Sequence, residues 1–166
     1  NPSIMRNDGH TDFKSGAQAI CELVAPLPVS VEVYEADVPG MLIQAREIAS
    51  WGDNVVVKIP VTGPTGESCL GIVSTLSSEG ISINCTALMS MGQAMLAAKA
   101  GATYVSLFAG RIGDEGGSPE QVISDTRSWL EDWDYDAEII VGSIREVHSV
   151  LQAARSGAHV ITIPPQ

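Results

Sequence analysis

One lysine interrupts one of the most apolar runs in the chain: in NVVVKIPVT, residues 54–62, Lys58 stands between Val57 and Ile59. Alternation along an extended strand puts Val55, Val57 and Ile59 on one face and Val56, Lys58 and Pro60 on the other. Burial penalises an ammonium ion, and a neutral amine adds to ketones. The position therefore suits a Schiff base whose iminium draws electrons during the making or breaking of a carbon–carbon bond. The plain alternative is a lysine that snorkels to a rim or forms a structural ion pair.

Glu32 in VSVEV, residues 29–33, lies at a similar distance from the end of its own strand. It could hold or activate a water by acid–base chemistry, or neutralise Lys58. Asn84 and Thr86 in INCTA share one face and offer an amide and a hydroxyl; Ser106 and Phe108 share another in YVSLF. Arg111 follows that strand, and Ser143-Ile144-Arg145 opens the connection after the next. Two guanidiniums, a hydroxyl and a helix start could clamp a phosphate. They could equally be surface groups balancing an acidic chain.

These residues sit at the ends of short runs rich in Val and Ile, at 29–33, 54–60, 81–87, 104–110, 138–143 and 159–165. Helical patterns at 38–50, 65–79, 89–100, 118–132 and 145–156 separate them, and another at 11–24 precedes the first; several end at Gly52, Gly80, Gly101 or Gly157. Such alternation implies parallel strands joined by helical crossovers. Parity then selects between architectures. A doubly wound sheet packs both faces under helices and would bury Glu32 and Lys58, whereas a (β/α)8 TIM barrel has one apolar face outward and one lined by selected polar groups. We expect the barrel, as one domain over residues 1–166. Such barrels need eight strands and about 250 residues. Six strands in 166 residues, with NPSI read as the tail of another strand, predict that a strand-helix-strand portion and a final helix lie outside this sequence.

Twenty acidic against nine basic residues give a net charge of -11, which disfavours nucleic acid and anionic membrane surfaces as partners. The three cysteines are widely spaced, and His10, His148 and His159 lack metal-ligand spacing, so no disulfide framework or metal is expected. GPTGES at 63–68 lacks the lysine ending of a P-loop. There is no signal-peptide pattern or membrane-length apolar run, and a cytoplasmic location is expected.

NPSI, VVVKIPVT, INCTALMSMGQAMLAAKAGATYVSLFAGRI, GSIRE and AARSGAHVITIPP, in order and spacing, resemble the transaldolases, particularly the short form grouped with fructose 6-phosphate aldolases. The resemblance implies a class I aldolase barrel with Lys58 as the Schiff-base residue. It implies Asn1 and Asn84 as substrate ligands, Glu32 and Thr86 as the pair that positions the catalytic water, Ser106 against the sugar, and Arg111, Ser143 and Arg145 on its phosphate. The partners implied are sugar phosphates, the assembly a homo-oligomer, and no metal or organic cofactor is required. Glu32 and Phe108 match the transaldolase type, where the aldolase type tends to have Gln and Tyr. Three departures stand out. Leu107 replaces a usual proline, NPS lacks its preceding threonine, and no segment corresponds to the family's first-strand aspartate.

Overall fold

The computed structural model of the protein describes residues 2–7, 9 and 12–164. Its elements in chain order are α1 (Pro2–Asn7), α2 (Phe13–Val24), β1 (Val29–Glu32), α3 (Val38–Ala49), β2 (Val55–Pro60), α4 (Leu70–Ser78), β3 (Ile83–Leu88), α5 (Met91–Lys99), β4 (Tyr104–Phe108), α6 (Ala109–Asp114), α7 (Pro119–Asp132), β5 (Glu138–Gly142), α8 (Val147–Arg155) and β6 (Val160–Ile161). Local chemistry sets many of the boundaries. Asp12, Asp37, Ser90 and Ser118 each accept a backbone N–H at the start of a helix. Gly80, Gly101 and Gly157 take left-handed φ just beyond three helix ends, where a side chain would be strained.

The six strands form one parallel sheet in the order β1-β2-β3-β4-β5-β6. Every crossover therefore steps to the next strand in the same direction. With right-handed connections, this winding keeps the crossover helices on one side of the sheet, whereas a doubly wound sheet reverses direction midway. The result is a curled wall of six parallel strands, an arrangement consistent with part of a barrel. Under the helices lies the core: Val31, Val57, Ile59, Ile83, Cys85, Val105, Leu107, Ile139 and Val141 from the strands meet Ile48, Leu76, Ala94, Ala97 and Ile123 from the helices.

Three expectations need correction. The PSI of that opening is not a strand tail, because Pro2–Asn7 is helical and Pro2 occupies a first-turn position where its missing N–H costs nothing. The helix expected from residue 65 starts at Leu70; the preceding segment is a turn closed by an antiparallel bridge between Thr62 and Ser68. The fourth strand stops at Phe108, and Ala109–Asp114 forms α6, so Arg111 is carried by a helix.

Candidate active site

Parity and register deliver the polar residues to one place. Glu32 on β1, Lys58 on β2 and Asn84 on β3 are successive register partners, as are Pro60 and Thr86 one pleat further. Their side chains leave the sheet on the face opposite the helices. Lys58, Asn84, Thr86, Ser106 and Phe108 line one cavity of about 250 Å³, together with Ile4, Ser30, Ile140, Gly142 and Thr162. Lys58 Nζ stands 3.1 Å from Glu32 Oε2, and both side chains are about one-fifth exposed. Such a pair is shielded enough to persist and open enough to exchange with a substrate.

Asn84 is almost fully buried and clamped from two sides. Its Nδ2 donates to Ser30 Oγ at 3.0 Å, and Ser106 Oγ donates to its Oδ1 at 2.6 Å. The chain of bonds runs from β1 through β3 to β4 and fixes the amide beside Lys58. Ser30 lines the same cavity and was passed over by sequence reasoning, although its place two residues before Glu32 on the same face was a usable signal.

Thr86 is placed differently. The β3–β4 register slips between Cys85 and Leu88, giving β3 one extra residue, and Ala87 takes φ 60 there. Positive φ is uncommon for a side-chain-bearing residue, and bulges of this kind re-aim neighbouring groups. Thr86 Oγ1 is buried and has no hydrogen-bond partner among the described residues. A buried hydroxyl in that condition is costly, and this one lines the cavity that holds Lys58.

The expected phosphate groups lie at the rim. Ser143 has φ 59, immediately after β5, and its carbonyl accepts from Gly110 N–H at 3.0 Å. Arg111 lays its guanidinium over the Phe108 ring, 5.2 Å from the ring centre, and so abuts the cavity wall. Arg145 instead reaches Asp114 Oδ2 through Nη2 at 2.6 Å, outside the Lys58 cavity. The helix start foreseen beside it is α8, which begins at Val147 with Glu146 at its N-cap. Asn1 lies outside the described residues. Among the described residues no group of three or more His, Cys, Asp or Glu could hold a metal ion, and no helix is long and apolar enough to cross a membrane.

Comparison with known proteins assigns the chain to a family. Residues 1–166 match the profile of the family described as Transaldolase/Fructose-6-phosphate aldolase. The chain belongs to that family. It is 44% identical over 164 residues to a probable transaldolase of Streptococcus equi subsp. zooepidemicus, and 42% identical over 164 residues to one of Dehalococcoides mccartyi. Each match covers 99% of this chain and 74% of the relative. Among solved structures, a mutant flavocytochrome b2 with benzoylformate superimposes with a TM-score of 0.60 at 18% identity, over 78% of this chain and 40% of that one. That likeness bears on the fold alone. Family membership makes the protein an aldolase- or transferase-type enzyme, and it turns attention to Lys58 as the group to test.

Proposed function

We propose that the protein is a transaldolase working as one barrel domain on sugar phosphates, with Lys58 as its nucleophile. The observation that carries this reading is the position of Lys58: its amine is on the helix-free face, 3.1 Å from Glu32, in one cavity with Asn84, Thr86 and Ser106. The donor is fructose 6-phosphate or sedoheptulose 7-phosphate. The amine adds to the C2 ketone and water leaves, giving an iminium. A general base, the role that the resemblance gives to the family's first-strand aspartate, takes the C4 hydroxyl proton; C3–C4 then breaks, the electron pair entering the iminium to form an enamine while the shortened aldose departs.

The enamine carbon attacks the aldehyde of an acceptor aldose phosphate, and hydrolysis of the new iminium returns the lysine. Glu32 and Thr86 hold the water that is expelled and later consumed, which gives the unpartnered Thr86 hydroxyl its bond. Asn84 grips the substrate hydroxyl nearest the iminium, and Ser106 supports it. Arg111, Ser143 and Arg145 meet the terminal phosphate. Glu32 and Phe108 favour transfer over release of free dihydroxyacetone.

Intact mass after incubation with fructose 6-phosphate and borohydride tests the reading. The expected result is an irreversible adduct of dihydroxyacetone size that maps to Lys58 and is absent from Lys58→Ala. A folded wild-type protein without that adduct refutes it, and dihydroxyacetone accumulating freely without an acceptor would assign the aldolase reaction instead.

A further inference from the structure

We propose that Asp114 is the built-in competitor for the anion end of this site: its carboxylate holds Arg145 on the helix side of the loop, and a phosphate reaching Ser143 must take the guanidinium from it. The inference rests on the phosphate role given above to Ser143 and Arg145. Arg145 does not line the Lys58 cavity. It lines a separate space of about 290 Å³ bounded by α6, α7 and α8, with Asp114 and Glu120 on the same walls.

Its Nη2 is committed to Asp114 Oδ2 at 2.6 Å. The rest of the head is differently placed. Arg145 Nε lies 2.7 Å from the point a Cβ on Gly110 would occupy, and Ser143 Oγ lies 2.8 Å from the same point. One donor of the guanidinium and the Ser143 hydroxyl thus converge over Gly110, while another donor is held by a carboxylate.

The pair contributes little to holding the fold. Both side chains are more than half exposed, at 56% and 57%, and ion pairs in that setting stabilise weakly because water solvates each partner well. A contact that adds little stability can be exchanged readily. A phosphate monoester offers more oxygens and more charge to a guanidinium than one carboxylate does, so it can displace Asp114 where a weaker anion cannot. Asp114 lowers the affinity of free phosphate and of sugar phosphate alike. The sugar phosphate keeps its contacts in the Lys58 cavity, whereas free phosphate has none, so the competitor clears the rim of unproductive anions.

The test is a calorimetric titration with inorganic phosphate at low ionic strength, using wild type, Asp114→Asn, Arg145→Ala and the double variant. Asp114→Asn should tighten phosphate binding about three- to tenfold, and added salt should shrink the gain, as expected for a like charge removed from a half-exposed anion site. The double variant should show no gain. Unchanged or weaker binding in a folded Asp114→Asn overturns the proposal. So does a gain that survives loss of Arg145, since the effect would then be one of general charge. The titration needs no chemistry at Lys58, so failure of the borohydride adduct would sink the Schiff-base reading without deciding this one.

Discussion

Asn84, Cys85 and Thr86 are consecutive on β3, yet they belong to two different materials. Cys85 is fully buried under the helices, in the apolar core with Val57, Ile59 and Val105. Asn84 and Thr86, equally hidden from solvent, face the open side, where one is clamped by two hydroxyls and the other has no partner among the described residues. Burial alone does not separate core from site in this sheet; the neighbours do. The helix-covered face is closed-packed and apolar, and the other face concentrates polar groups whose bonding is complete only in part.

The strongest way to break that contrast is at Asn84. Asn84→Ala removes the centre of the Ser30–Asn84–Ser106 chain and the amide beside Lys58. Transfer should fall about 100-fold or more, because a preorganised donor in a water-poor site is lost. Stability should fall by ~1–3 kcal/mol, because two hydroxyls lose their partner. Turnover measured with urea unfolding checks both, and a fully active variant would remove Asn84 from the site.

Thr86→Val separates the two materials more sharply. Its hydroxyl is buried without a partner among the described residues, so replacement by a methyl should leave folding unharmed or stabilise it by about 1 kcal/mol. The reaction should slow ~10- to 100-fold if that hydroxyl positions the water. Opposite signs in stability and rate mark a functional residue. A loss in both would mark Thr86 as ordinary packing.

At the rim the expected effect is smaller. A methyl on Gly110 would press against the Ser143 carbonyl, Ser143 Oγ and Arg145 Nε, two of which are taken to bind phosphate. Gly110→Ala should raise the half-saturating concentration of fructose 6-phosphate about tenfold, a typical cost for misplacing a charged anchor. Trapping of unphosphorylated dihydroxyacetone on Lys58 should be unaffected. Equal losses with both substrates would mean that the glycine supports the fold rather than the phosphate.

Strand parity made much of this legible in advance. Lys58 between Val57 and Ile59, and Glu32 beside Val31 and Val33, declare an apolar and a polar face in the sequence itself, and the register makes them partners. Features outside regular strand geometry leave no such mark. The extra residue at Ala87 has no sequence mark, since alanine rarely takes positive φ and only the mismatch with β4 demands it. The pairing of Arg145 with Asp114 joins residues 31 apart through side chains outside the sheet, and nothing in local spacing announces it. Ser30 was on the right face but too ordinary a residue to single out.

The last test probes the packed face. Burial pushes the Cys85 thiol up to about 12, from an ordinary value near 9. In the unfolded chain the thiol ionises near that ordinary value, whereas in the folded protein it stays protonated until about 12. Between those limits the unfolded state binds fewer protons, so stability that is fully present below pH 9 declines as pH rises towards 12. The slope from this one group is at most ~1.4 kcal/mol per pH unit. Cys21, Cys69 and Tyr104 are also shifted upward by burial and add slopes of the same sign, so the informative quantity is a difference. Urea unfolding of wild type and Cys85→Ala at a series of alkaline pH values should show the variant less stable at neutral pH, through its cavity, and losing less as pH rises. Parallel curves would mean that water reaches the thiol, and that the helix-covered face is less closed than its packing implies.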